Sequence, residues 1–184
     1  QFQSNLVIVW NLYCSSRIHN LMQMYVLMVK KYDSGIITVW GGTHPTCMTN
    51  ECMHCTDVDY IILGEGEKPF KDLLERLNAG ESVAGLKSLA YRDENGQPVI
   101  NNDRSWIEDL NEHVLPARSK VDMNKYKQSV TNGMTTFNMI TSRGCPYKCT
   151  FCTAPTFYQQ RYKGRTPEKV VDEMELLVNE YRAK

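Results

Sequence analysis

Three short, mainly apolar runs constrain this chain more than any other feature: Leu6–Trp10 (LVIVW), Ile36–Trp40 (IITVW) and Asp59–Leu63 (DYIIL). Runs of this length, rich in β-branched residues, read as strands buried on both faces of a parallel sheet. The second runs straight into Gly41-Gly42-Thr43-His44, and the third into Gly64-Glu65-Gly66-Glu67. From about residue 16 to 32, Leu21, Tyr25, Met28 and Val29 recur near helical spacing, with Lys30 and Lys31 in the last turn, where cations suit the helix dipole. A short helix is expected around Glu51. Pro69, Phe70, Leu73, Leu74 and Leu77 mark a longer one that ends near Gly80, a C-cap glycine. This alternation of strands, helices and glycine loops is that of a doubly wound α/β sheet, whose ligands sit beyond the carboxyl ends of the strands. Both glycine loops fall at those ends.

Farther along, Glu94-Asn95-Gly96-Gln97 lies between Leu86–Arg92 and Pro98–Asn101, and Asn-Gly between strand-like segments predicts a hairpin that closes the first domain. Residues 102–134 are mixed polar, contain Pro116 and show no sustained period, so they read as an extended linker. A second unit follows, with Phe137–Ile140 as a strand candidate and 141–152 as a loop. Pro167–Tyr181 reads as a helix, with Pro167 in its first turn and Val170, Val171, Met174, Leu177 and Tyr181 on one face. The expected organisation is an α/β domain over 1–101, a linker over 102–134 and the start of a second domain over 135–184.

Composition narrows the function classes. Lys plus Arg and Asp plus Glu both number 21, which leaves no electrostatic footprint for a nucleic-acid backbone or an anionic membrane. No run approaches the roughly 18–20 apolar residues of a membrane span, and Leu6–Trp10 lacks the flanks of a signal peptide. A cytoplasmic protein is therefore expected. Seven cysteines, an odd number with no secretory mark, favour metal ligation or catalysis over a disulfide framework.

Cys145, Cys149 and Cys152 form a CxxxCxxC cluster just after a predicted strand. Three thiolates within eight residues can wrap one soft metal centre. Iron–sulfur clusters usually take four cysteines, so three would leave one iron open to a substrate or cofactor. Zinc with a distant fourth ligand and unliganded structural thiols are the alternatives.

The segment Thr141-Ser142-Arg143-Gly144-Cys145-Pro146-Tyr147-Lys148-Cys149-Thr150-Phe151-Cys152 resembles the cluster-binding loop of the radical S-adenosylmethionine superfamily. That resemblance implies a 4Fe-4S cluster on Cys145, Cys149 and Cys152, with S-adenosylmethionine chelating the open iron and Phe151 placed against its adenine. One-electron reduction would then cleave the sulfonium to a 5′-deoxyadenosyl radical. The upstream segments Val39–Thr46 and Val58–Glu67 resemble the cobalamin-binding subgroup of the same superfamily. They imply a Rossmann-like domain in which a Gly-Gly turn holds cobalamin's nucleotide tail, with Gly41, Gly42, His44, Gly64 and Glu65 on the cofactor side. Leu115-Pro116-Ala117-Arg118 and Thr166–Glu173 also fit the subgroup. No Asp-x-His-x-x-Gly motif assigns a lower cobalt ligand, and Val9-Trp10-Asn11 stands where the subgroup often has a small hydroxyl residue.

A complete (β/α)₈ barrel takes about 200 residues or more, and 32 follow Cys152. The resemblance thus implies a partial Rossmann-like domain, a hairpin and linker, and the first βα unit of a truncated barrel: an N-terminal fragment of a longer enzyme. Such an enzyme would perform methyl transfer, cyclisation or rearrangement on a small-molecule substrate, fed by a one-electron reductant such as flavodoxin or ferredoxin. The Cys-Thr-Ala-Pro run after the cluster resembles the anaerobic magnesium-protoporphyrin ester cyclase branch. Two alternatives stay open: an RNA-modifying radical enzyme of the methylthiotransferase type, and a cofactor-binding or electron-transfer module without catalysis. Cys47, Cys52 and Cys55, with His54 between them, could hold zinc or a second cluster, but their expected place on a short helix favours semi-buried thiols. Cys14 and the three tryptophans read as core residues.

Overall fold

The computed structural model describes residues 6–11, 16–112, 115–125 and 136–183. Cys14 and residues 126–135, which hold the end of the expected linker, lie outside them. The chain divides into two compact units, the first formed by residues 1–106 with 146–160 and the second by 107–145 with 161–184.

The first unit is built on a five-stranded sheet in the order β1 (Leu6–Asn11), β2 (Ile37–Gly42), β3 (Tyr60–Ile62), β4 (Leu89–Arg92) and β5 (Pro98–Asn101). The first three strands are parallel, and β4 and β5 add antiparallel at the far side. Helix α1 (Ser16–Tyr32) connects β1 to β2. Two short helices, α2 (Thr43–Cys47) and α3 (Thr49–Met53), lie between β2 and β3, and α4 (Glu67–Ala79) follows β3. Register sorts the strand residues onto two faces. Trp40, Ile61 and Ala90 lie opposite one another and pack with Val26, Cys52, Met53, Val58 and Leu63. Ile62 and Leu89 are paired on the other face and pack with Val39 and Leu73, flanked by Phe70 and Leu77. Helices therefore cover both faces, which is why these strands carry continuous apolar runs rather than alternation.

The helix expected over 16–32 forms, but a different face meets the sheet. Leu21, Tyr25 and Met28 are exposed, while Val26 is buried with Met22 packed beside it. Apolar residues populate two sides of α1, and periodicity alone does not choose between them. The hairpin forms with Gly96 at φ 74°, and the Asp93 carboxylate accepts from the Asn95 and Gln97 amides at 2.9 Å. It extends the sheet by pairing antiparallel with β3. At the amino ends of the strands, Asp59 Oδ2 accepts from Lys30 Nζ and from the Thr38 amide, both at 2.7 Å, tying α1 to β2 and β3.

In the second unit, β6 (Ser142–Gly144) and β7 (Tyr162–Gly164) form an antiparallel pair and α6 (Pro167–Tyr181) follows. Thr166 caps α6, its hydroxyl accepting from the Lys169 amide at 3.4 Å. No strand forms over Phe137–Ile140. The carbonyls of Asn138 and Ile140 instead accept from Arg118 Nη2 at 2.8 Å and Arg165 Nη1 at 3.1 Å. The inward positions of α6 are Glu173 and Leu177, whereas Val171 and Met174 are exposed. Glu173 is 2% exposed, between Arg118 and Arg165 at 7% and 8%. Its Oε1 accepts from Arg118 Nη2 at 2.8 Å, and its Oε2 from Arg165 Nη1. Burial alone would raise the Glu173 pKa, but the two guanidinium hydrogen bonds and charges outweigh it and hold the carboxyl below its ordinary value.

Candidate functional site: the carboxyl end of the sheet and the cysteine segment

At the carboxyl ends of β2 and β3 the chain presents ground with few side chains. Gly41 and Gly42 are buried and form the last two residues of β2, paired with Trp10 and Asn11 of β1. The strand runs through the glycine pair, so the expected Gly-Gly turn is a strand end that passes directly into α2. Gly42 adopts φ 101° and Gly64 φ 77°, a region where a Cβ is strained. Thr46 bolts the two loops together: its hydroxyl donates to the Gly42 carbonyl at 2.7 Å and accepts from the Gly64 amide at 2.9 Å. His44 and Glu65 are both buried beside these glycines in sequence, 5% and 6% exposed.

A second hydroxyl residue works one strand over. Ser88 is fully buried at φ 57°. Its carbonyl accepts from the Leu63 amide at 2.9 Å, its amide donates to the Asp103 carbonyl at 2.8 Å, and its Oγ accepts from the Ser105 amide at 2.8 Å. The backbone on either side of Arg104 is thus fixed to the residue that precedes Gly64. The Arg104 side chain runs over that glycine, with Cδ 3.8 Å from the position a Gly64 Cβ would take. Burial lowers the Arg104 pKa, partly offset by Cys47.

The segment carrying Cys149 and Cys152 belongs to this same unit. The Cys152 amide donates to the Cys149 carbonyl at 3.1 Å, closing a turn. The Ala154 amide donates to Cys152 Sγ at 3.4 Å. Helix α5 (Ala154–Tyr158), which the sequence reading did not anticipate, packs against α2. It brings the Phe157 carbonyl within 3.6 Å of a Gly64 Cβ position. Phe151 is 90% exposed. Cys145, in the second unit, directly follows β6 and is half-buried. Gly144 before it sits at φ 88°, where a Cβ would overlap the Arg161 carbonyl oxygen and lie 2.9 Å from its carbon.

Residues 7–74 match the B12 binding domain family. An uncharacterized methyltransferase of Pyrococcus horikoshii is 32% identical over 158 residues, covering 85% of this chain and 34% of the relative. The anaerobic magnesium-protoporphyrin IX monomethyl ester cyclase of Rubrivivax gelatinosus is 31% identical over 158 residues, covering 84% and 28%. The fold is that of TsrM from Kitasatospora setae, a radical S-adenosylmethionine methyltransferase solved with cobalamin and a 4Fe-4S cluster, at TM-score 0.70 and 21% identity over 98% of this chain and 36% of that one. This chain carries a match to the B12 binding domain family over residues 7–74 and shares its fold with TsrM.

The chain spans about a third of the length of the curated relatives it matches. The B12-binding match takes in Gly41, Gly42, His44, Gly64 and Glu65 and stops short of the cysteine triad. Among the described residues, no three Cys, His, Asp or Glu side chains converge in the manner of a metal site. Within the first unit, the amide on Cys152 Sγ is the kind of hydrogen bond a coordinated thiolate accepts, so the donor chemistry of the Cys149–Cys152 segment suits iron–sulfur ligation. Cys47, Cys52 and Cys55 do not form a second site, because Cys52 is buried in the core beside Trp40 and Met53. Burial raises the Cys55 pKa, which suits a structural thiol. Bare glycine backbone fits the close approach of a bulky cofactor. Ser88 and Arg104 escaped the sequence reading because the residues they meet are remote in the chain, and Thr46 because its second partner, Gly64, lies 18 positions away; only the Thr46 placement after the glycine pair was available as a signal.

Proposed function

We propose that this chain is the cobalamin-binding domain and cluster-bearing segment of an enzyme that cleaves S-adenosylmethionine reductively at a 4Fe-4S cluster, for methyl transfer, cyclisation or rearrangement of a small molecule. The observation that carries the reading is the packing of α5 on α2 and over Gly64, which places the segment of Cys149 and Cys152 in one unit with the glycine-rich end of the sheet. When bound, the cluster supplies the electron for sulfonium cleavage and cobalamin supplies a carrier for the transferred group. Cys145, Cys149 and Cys152 would hold the cluster, and the exposed Phe151 ring would lie against adenine. Gly41, Gly42 and Gly64 would admit cobalamin's tail, with His44 and Glu65 at its border. Buried Thr46 keeps the two glycine loops at a fixed separation. We take the domain limits as 1–101, 102–134 and 135–184, and the setting as cytoplasmic with flavodoxin or ferredoxin as electron donor. Two observations support such a setting: no disulfide joins the six described cysteines, and no helix among the described residues is long and apolar enough to cross a membrane.

Anaerobic reconstitution with iron and sulfide, followed by metal analysis and electron paramagnetic resonance, tests the reading. The expected result is about four irons per chain, the number in the proposed cluster, with a reduced-cluster signal that shifts on adding S-adenosylmethionine. Cys149→Ala should lose that signal while retaining hydroxocobalamin in a parallel titration. Zinc in place of iron would sink the radical mechanism, and iron without cobalamin binding would remove the cobalamin half of the proposal.

A further inference from the structure

Arg104 is a cation whose position is determined and whose hydrogen-bonding capacity is largely unused. Its Nε and Nη1 are buried without a hydrogen-bond partner, although the residue as a whole is only half-buried. A guanidinium carries five N–H donors, and leaving such donors buried and unpaired is costly. The backbone does not leave the residue free to escape that cost. Ser88 grips the Asp103 carbonyl and the Ser105 amide on either side of Arg104, and the same serine accepts from Leu63 immediately before Gly64. The stem is thereby held over Gly64, where a larger residue at φ 77° would be strained. Guanidinium donors held in place beside Gly64 without an acceptor match a planar or tetrahedral oxyanion.

We infer that Arg104 recognises a phosphoryl oxyanion at the carboxyl end of the sheet, the phosphodiester of cobalamin's nucleotide tail. The inference rests on the cobalamin half of the proposed function and deepens it, by assigning a charged partner to a site otherwise described by glycines. Arg104 is a binding residue in this reading and takes no part in bond making or breaking.

Equilibrium titrations of the full chain with hydroxocobalamin and with dicyanocobinamide, which lacks the phosphate and nucleotide, test the assignment. Arg104→Gln should weaken hydroxocobalamin binding at least tenfold, about the worth of one charge-assisted hydrogen bond, and leave cobinamide binding within about twofold, since no contact to it changes. Arg104→Lys, a point charge without the fork, should fall between the two. Inorganic phosphate should compete with hydroxocobalamin in the wild type and not in Arg104→Gln. Unchanged hydroxocobalamin affinity in Arg104→Gln would overturn the inference while the cobalamin site stands. Equal loss of both corrinoids would also overturn it, by showing a general distortion of the site. Failure of the wild type to bind either corrinoid would overturn the cobalamin reading and this inference with it.

Discussion

Replacing Glu173 by Gln should destabilise the second unit selectively. The change keeps side-chain volume and removes one charge, leaving Arg118 and Arg165 buried without a counter-ion. Breaking a buried pair by removing one partner costs about 3–5 kcal/mol. The lower end applies, because both guanidiniums keep backbone acceptors: Asn138 for Arg118, and Ile140 and Lys169 for Arg165. At about 1.4 kcal/mol per tenfold, 3 kcal/mol is roughly a hundredfold loss of amide protection. Hydrogen exchange resolved by segment is the assay, since the loss should appear in α6 and spare β2 and β3. The same pairing fixes a pH dependence. A carboxyl held below its ordinary value contributes stability that is fully present above the unfolded pKa of about 4.3 and is lost as pH falls through the folded value. Protection of α6 should therefore decline on acidification below that range in the wild type, with this component absent in Glu173→Gln. Protection of α6 within threefold of wild type in the variant at neutral pH would refute the reasoning, since a surface-like ion pair would cost that little.

Two further substitutions test how the site is built. Thr46→Val keeps the shape but leaves the Gly64 amide and Gly42 carbonyl without their buried partner, at about 1–3 kcal/mol; the expected outcome is a lower denaturant midpoint together with weaker hydroxocobalamin binding, measured by chemical unfolding and by titration. Gly144→Ala forces a Cβ into the Arg161 carbonyl at a positive φ, so the β6–β7 pair should open and reconstituted iron should fall well below the wild-type content, read by iron analysis alongside circular dichroism.

Much of the first unit was legible because its signals are local. The runs ending at Trp40 and Leu63, the Asn95-Gly96 turn and the Pro69–Leu77 period each specify their element within about a dozen residues, and each appears with ends displaced by a few positions. The second unit was less so. Ser142–Gly144 and Tyr162–Gly164 have no apolar run and become strands only by pairing with each other across the cysteine segment. Phe137–Ile140 has the composition of a strand but gives two of its carbonyls to arginines. The face of α1 was misread for a related reason: both sides of that helix are apolar, and the sheet, which chooses Val26, is assembled from elsewhere in the chain. The glycines of the candidate site were visible, whereas the residues that set their spacing were not, because Thr46, Ser88 and Arg104 owe their roles to contacts remote in sequence.

Those contacts also explain why a site of mostly bare backbone can have a defined shape. Glycine costs more conformational entropy on folding than any other residue, so Gly41, Gly42 and Gly64 would leave the carboxyl end of the sheet loosely specified on their own. A hydroxyl can donate and accept at once. Thr46 uses both capacities across the two loops, and Ser88 combines its hydroxyl with its own amide and carbonyl to join Leu63 to the stretch around Arg104. Each residue is buried, so water does not compete for these bonds and their loss would leave unpaired backbone groups behind. The geometry of the glycine face is thus set by two small side chains, with α5 packed against α2 and over Gly64.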